Sequence, residues 1–426
     1  GCKLIILKNL TLSDGSVQDI RIDAGQIVEI GRIAGSGTDC TDLIGLSGFV
    51  DPHTHLREPG FEASETVLSG SKAAAAGGYT AICAMANTEP VADNSSVIER
   101  VYDLGIEAGL CDVQPIGAVT KGLKGLELAN IRDMSRSRAK VAMFSDDGMC
   151  VHDENLMRQA LLEVKKFGGV VAQHAQDPSL TVGAQMNQGA VATELGLTGW
   201  PAIAEEQIIA RDAQLAEETG SRLHICHLTT GGGVEVVRWA KAKGIHITAE
   251  VTPHHLLLTE DLVRTYDPVY KVNPPLRTAD DNMALLAGLV DGTIDMLGTD
   301  HAPHSGEKKD CEWENAAFGM LGLESAASIL HQVLIQSGAG DWKLFEEIIS
   351  KRPAKLAGLN SHGFIKVGAQ ANITMFNPHE RIGVAEMNQS KSSNNPYLGL
   401  EFIGRVQHTI YQGQFTMIDQ SVRDQK

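Results

Sequence analysis

The chain has 426 residues, enough for two or three domains or for one large domain with an appendage. Hydrophobic residues make up 43% and charged residues 21%, a globular profile that excludes a disordered or fibrous chain. Lys and Arg number 36 against 53 Asp and Glu, and the resulting net charge of −17, with no local basic patch, argues against nucleic acid as a partner. No apolar run approaches the roughly 18 residues of a membrane span, and no signal-peptide cleavage region follows the short apolar start. The expectation is a cytoplasmic protein without a membrane partner. Cys2, Cys40, Cys83, Cys111, Cys150, Cys226 and Cys311 lack pairing spacing and read as reduced thiols.

The first 48 residues alternate apolar and polar positions between turns at Asp14-Gly15 and Ala24-Gly25, which predicts a meander of short strands. From 49 onward the character changes. Strands are predicted over 48–55, 79–87, 112–119, 139–147, 169–175, 222–229, 246–255 and 293–303, with helical patterns such as 153–169 and 205–220 between them. Eight strands alternating with helices predict an α/β fold, a (β/α)8 TIM barrel, with an open doubly wound sheet as the alternative. The end of the chain is β-rich again. The economical arrangement places 1–48 and 358–426 together in a small composite β-sandwich, with the barrel, 49–357, inserted between them. The stretch 390–396, SKSSNNP, reads as a polar loop.

Metal-capable residues gather at the ends of these strands: His53 and His55 on the first, Asp146-Asp147 on the fourth, His174 on the fifth, His227 on the sixth and Asp300 on the eighth. In a barrel those ends converge on one mouth, where active sites lie. Imidazole and carboxylate together suit zinc or a similar borderline metal, and six groups exceed the needs of one tetrahedral ion. A lone buried histidine is more often a packed core residue. His53 and His55, two apart on a strand, face the same way, and the pair is a stronger signal. His224 and His227 are three apart, so a regular strand points only one of them inward. His227 lies nearer the strand end and is chosen, leaving His224 and Cys226 to structure. Asp146 and Asp147 face opposite sides, and spacing leaves that choice open. The plain alternative for Asp300 is a helix cap. His254 and His255 stay unassigned.

DPHTHLREPG (51–60), MANTEP (85–90), FSDDG (144–148), HICHLTT (224–230) and TPHHLLLTEDL (252–262) resemble the amidohydrolase superfamily. KVNPPLR (271–277), LGTDHAPH (297–304) and AAFGMLGLE (316–324) narrow the resemblance to the dihydroorotases of the longer, class I type. It covers nearly the whole chain in family order. The resemblance implies two zinc ions per subunit, one bound by His53, His55 and Asp300, the other by His174 and His227, bridged by Asp147 and a hydroxide. It implies that Arg57 and Asn87 hold the free carboxylate of carbamoyl aspartate or dihydroorotate. Asn273 and His304 would complete the pocket, with His55 facing the substrate as well, and the Phe318-Gly319 backbone would contact the ring. A guanidinium fork also suits a carboxylate on its own account, although a surface ion pair with Glu58 or Glu62 is the plain reading of Arg57.

The activity implied is the reversible, zinc-dependent cyclisation of N-carbamoyl-L-aspartate to dihydroorotate and water, in pyrimidine biosynthesis. Metal coordination lowers the pKa of water from about 16 to about 7, and Asp300 is placed to carry the proton to the leaving nitrogen. Ala86, Gln176 and Gly298 depart from the commonest pattern, where proline, an acid and alanine are frequent. A hydantoinase, dihydropyrimidinase or allantoinase predicts a carboxylated lysine near 147 and has no need of Arg57 with Asn87. An inactive scaffold for aspartate transcarbamoylase predicts lost ligands. A homodimer and that transcarbamoylase are the candidate protein partners.

Overall fold

The computed structural model describes residues 3–424. The chain opens with β1 (Ile5–Leu12), β2 (Val17–Asp23), β3 (Gln26–Gly31), β4 (Thr38–Asp39) and β5 (Ile44–Ser47). One residue later it enters β6 (Phe49–Thr54), followed by β7 (Tyr79–Ala84), β8 (Asp112–Pro115), β9 (Met143–Phe144) and β10 (Val170–Gln173). The pair β11 (Met186–Asn187) and β12 (Gly199–Trp200) forms a two-stranded excursion. Then come β13 (Arg222–Ile225), β14 (Ile247–Val251) and β15 (Met296–Leu297), and the chain closes with β16 (Ile373–Gly383), β17 (Glu401–Tyr411), β18 (Gln414–Ile418) and β19 (Ser421–Val422).

Strands β6, β7 and β8 pair in parallel, as do β9, β10, β13, β14 and β15. Parallel bridges Gly117–Phe144 and Thr54–His301 join the two sets into a closed barrel of eight strands. All eight predicted barrel strands are present but shorter than predicted, because regular pairing ends where the polar residues of the mouth begin. Phe49–Thr54 and Tyr79–Ala84 are buried throughout, as strands covered on both faces must be. The helices between them start where caps are available. Thr66 and Ser69 form a capping box at Val67–Ala76, Asn94 accepts from Val97 N–H, and Asp153 accepts from Leu156 N–H. Gly220, with φ of 69°, ends the helix Ile203–Thr219.

The terminal strands from both ends of the chain join edge to edge in one nine-stranded sheet, ordered β19-β18-β17-β16-β5-β1-β2-β3, with β4 beside β1. Ile373–Phe376 of β16 lies antiparallel to Ile44–Ser47 of β5, so the last segment is anchored on the strand that feeds the barrel. Leu7, Leu10, Ile20, Ile22, Ile373 and Ile410 form an apolar core of their own beside that of the barrel. Among the described residues, no helix is long and apolar enough to cross a membrane, and the six described cysteines are free thiols. Cys2 lies outside the described residues.

Candidate metal centre

The mouth of the barrel brings the six predicted groups together. His53 is the penultimate residue of β6 and His55 follows that strand, Asp147 follows β9, His174 follows β10, His227 lies beyond β13 and Asp300 beyond β15. His53, His55, Asp147 and Asp300 form one buried group whose ligand atoms lie within 4.8 Å of one another, and Asp147, His174 and His227 form a second. Asp147 belongs to both. Its Oδ2 lies 3.0 Å from His53 Nε2 and 3.1 Å from His55 Nε2, while its Oδ1 lies 3.2 Å from His174 Nδ1 and 3.2 Å from His227 Nε2. Asp300 Oδ1 sits 3.0 Å from Nε2 of both His53 and His55.

The outer nitrogens decide what the inner ones can do. His53 Nδ1–H donates to Glu250 Oε2 at 2.7 Å, His55 Nδ1–H to Asn87 Oδ1 at 2.8 Å and His174 Nε2–H to Gln176 Oε1 at 2.6 Å. Each ring then turns its other nitrogen inward, towards carboxylate oxygens about 3 Å away, where a neutral imidazole offers a lone pair to a metal ion. Ring nitrogens and carboxylate oxygens this close in a buried space need positive charge between them, which protons on the rings or a metal ion in their place would supply. This donor set of imidazole nitrogens and carboxylate oxygens fits a borderline divalent metal, with outer carboxylate and amide groups orienting the rings. The electrostatics agree. Burial opposes charge on His53, yet the carboxylates of Asp147, Glu250 and Asp300 hold its pKa well above that of ordinary imidazole. Burial likewise opposes the charges of Asp147 and Asp300, and His53 with the other rings still holds both carboxyls well below their ordinary range.

Three residues at the mouth carry backbone strain. Arg57, His227 and Asp300 have φ of 65°, 30° and 52°, in the left-handed region that side chains avoid. For His227 this corrects an expectation. Strand β13 ends at Ile225, the chain leaves extended geometry, and His224 and His227 both point into the barrel although they are three residues apart. Asp146 lies outside the cluster: its Oδ1 accepts from the backbone N–H of Val119 and Thr120 at 2.8 and 3.0 Å.

The predicted substrate side stands beside the cluster. Arg57 makes no ion pair with Glu58 or Glu62; its Nε–H donates to Pro303 O at 2.9 Å and its Nη2 lies 3.3 Å from His304 Nε2. Burial lowers its pKa to about 10, and the guanidinium stays charged at neutral pH. His304 Nε2–H donates to Phe318 O at 2.8 Å, while Nδ1 is buried without a partner. Burial, reinforced by Arg57, lowers that ring's pKa to about 3. Asn273 donates from Nδ2 to Gln176 at 3.4 Å, and its buried Oδ1 is also unpartnered. Gly319 N–H is taken by Lys271 O at 2.9 Å, and its φ of 153° together with the nearness of Ala302 and His304 excludes a side chain there. His254, left unassigned from the sequence, is buried with neither ring nitrogen partnered, and burial lowers its pKa to about 4.

Sequence reasoning missed four residues. Asp51 Oδ1 accepts from His53 N–H at 3.0 Å and Thr299 N–H at 3.1 Å, tying the first barrel strand to the turn that presents Asp300. Burial raises its pKa to about 7. Glu250 and His224 lie behind His53. Asn394, in the stretch read as a polar loop, donates to Ala302 O at 2.9 Å and Gly319 O at 3.2 Å and accepts from His304 N–H at 3.1 Å. Only adjacency to His53 in the DPH string pointed to any of them. A cavity of about 800 Å³ lies at the opposite end of the barrel, against Val170, Arg222, Ile247, Thr248 and Met296, and holds none of the six groups.

Residues 43–232 match the family model described as dihydro-orotase-like. The chain is 54% identical over 420 residues to a dihydroorotase of Streptomyces coelicolor, covering 97% of this chain and 98% of that one. It is 47% identical to a dihydroorotase of Mycobacterium tuberculosis, covering 96% and 97%. Among solved structures, an L-hydantoinase from Arthrobacter aurescens superposes with a TM-score of 0.87 at 23% identity, covering 99% of this chain and 97% of that one, a likeness of fold. With such identity to dihydroorotases over almost the full length of both chains, the chain belongs to the dihydroorotase family.

Proposed function

We propose that the chain is a zinc-dependent dihydroorotase, interconverting dihydroorotate and N-carbamoyl aspartate. One observation carries the reading: relatives named dihydroorotase at 54% and 53% identity over nearly the whole chain, in a protein whose mouth retains all six metal-capable groups. His53, His55 and Asp300 would hold one zinc ion and His174 and His227 the other, with Asp147 serving both through its separate oxygens. An aspartate at 147 needs no carbon dioxide adduct. When bound, the ions supply Lewis acidity, polarising the ring carbonyl and making water a competent nucleophile at neutral pH.

The chain's own residues do the rest. Arg57 and the free amide N–H groups of Asn87 would bind the substrate's carboxylate, fixing the ring over Asp300. Asn273 Oδ1 and His304 Nδ1, buried acceptors without partners, suit the ring's N–H groups. Asp300 takes a proton from the attacking water. It returns that proton to the ring nitrogen as the C–N bond breaks, and cyclisation runs the same transfers backwards.

The experiment is hydrolysis of dihydroorotate beside dihydrouracil and hydantoin by the zinc-loaded protein, with Asp300→Asn as control. Strong preference for dihydroorotate, with turnover abolished in the control, supports the proposal. Preference for the uncharged rings would instead make the chain a hydantoinase-like amidase, and no turnover would favour a scaffold.

A further inference from the structure

Glu250 is completely buried in the interior of the barrel, and the reaction as described does not use it. Its two oxygens are both engaged. Oε2 accepts from His53 Nδ1–H at 2.7 Å, and Oε1 accepts from His224 Nε2–H at 2.8 Å. His224 Nδ1 in turn lies 2.8 Å from Thr248 Oγ1, whose hydroxyl donates to it. The carboxylate, which can only accept, sets both tautomers: it leaves His224 protonated on Nε2, with Nδ1 accepting from the threonine hydroxyl, and His53 protonated on Nδ1 with its lone pair on Nε2. The line runs from the wall of the large cavity at one end of the barrel to the cluster at the other.

The space for this carboxylate comes from Gly298. A Cβ at 298 would stand 2.4 Å from Glu250 Oε2 and 2.7 Å from its Cδ, so an alanine there would require the carboxylate to shift from this seat. The atom it would strike is the oxygen that holds His53. Gly298 N–H is bonded to Val251 O at 3.0 Å, so the β14–β15 pairing fixes the backbone and the side chain would have to give way. Cys226 lies in the same buried space, and with both Glu250 oxygens occupied by ring N–H groups it adds packing.

We propose that Glu250, seated by Gly298 and oriented by His224 and Thr248, is the positioning residue that fixes His53 as a metal ligand. It touches neither substrate nor reacting atoms and acts through the imidazole. The inference rests on His53 being a ligand in the proposed function, and its test is run without substrate. A chain that binds zinc but hydrolyses a different ring would overturn the functional reading and leave this one standing.

The measurement is zinc affinity of the metal-stripped protein, by competition with a chromophoric chelator, for the natural chain, Glu250→Gln, Glu250→Ala, Gly298→Ala, Thr248→Val and the double variant Gly298→Ala/Glu250→Ala. Circular dichroism and thermal midpoint of each metal-free protein report folding. Glutamine can accept from one histidine only and presents an N–H to the other, so Glu250→Gln should weaken the site that His53 serves about 10- to 100-fold. Gly298→Ala should weaken the same site and add nothing once Glu250 is alanine. Thr248→Val, nearly isosteric, should give a smaller loss at the same site, and it keeps the idea testable if the buried variants fail to fold. Affinity within twofold of the natural chain in a folded Glu250→Gln, or in Thr248→Val where that variant alone folds, overturns the proposal. Losses that add in the double variant overturn the part assigned to Gly298.

Discussion

The backbone N–H of His304 donates to Oδ1 of Asn394 at 3.1 Å, a contact between residues 90 apart in sequence. The same amide donates from Nδ2 to Ala302 O and Gly319 O. One side chain, carried in by the segment between β16 and β17, thus clamps both arms of the loop that presents His304 and Phe318. Asn394→Ala would leave buried polar groups unsatisfied at about 1–3 kcal/mol each. The expected result is a rise of about tenfold or more in KM for dihydroorotate with zinc content unchanged. Steady-state kinetics beside metal analysis check it, and loss of zinc with an unchanged KM would show that the clamp serves the ions instead.

That clamp was invisible in the sequence for a physical reason. SKSSNNP has the composition of a solvated loop, and only the fold brings it against Ala302. The six cluster residues were legible because each sits at or just past the apolar end of a barrel strand, a position that one strand and one turn define. Residues that support them were not. The bonds of Glu250 to His53 and of Asp51 to Thr299 span 197 and 248 residues and depend on the register of the closed barrel. His224 was misjudged because the inference assumed regular alternation through His227, where the backbone bends. The choice of Asp147 over Asp146, open on spacing, rests in the structure on Asp146 being occupied by the Val119 and Thr120 amides.

Arg57 is the test of substrate charge. It is pinned by Pro303 O, and among the described residues it makes no ion pair with a carboxylate. Hydrogen bonds to charged groups contribute about 1.5–3 kcal/mol, so Arg57→Gln should lower kcat/KM for dihydroorotate about 10- to 150-fold. Slow turnover of dihydrouracil, which lacks the carboxylate, should be unaffected. Equal losses on both substrates would mean that Arg57 shapes the loop through Pro303 and does not read charge.

Metal removal and Asp147→Asn address the cluster directly. Stripping zinc with a chelator should abolish activity, and it should lower the thermal midpoint because a ligand that binds the folded state stabilises it. Readdition should restore both. An asparagine at 147 offers one oxygen and an N–H where two oxygens now face separate histidine pairs. The variant should lose one of the two expected ions, measured by elemental analysis of the folded protein, with activity reduced at least about 100-fold. Full zinc content in a folded Asp147→Asn would remove the bridging role.

Glu324 is a second source of pH dependence, outside the six metal-capable groups. Burial raises its pKa to about 8, while the backbone N–H of Gln389, 3.1 Å away, favours the charged form without prevailing. Glu65, itself bonded to Lys391 N–H and Ser390, adds like charge. An unfolded glutamate titrates near the ordinary value of 4.5. Between that value and about 8 the folded state keeps a proton that the unfolded state has lost. The associated stability is therefore complete below the unfolded pKa and is lost as pH rises through the folded one. Glu324→Gln cannot ionise and escapes the loss. Thermal midpoints measured from pH 5 to 9 should show the variant gaining on the natural chain as pH rises, with the gap levelling off above about 8. Parallel curves across that range would mean that Glu324 is already ionised in the fold and that the 388–390 amides outweigh its burial.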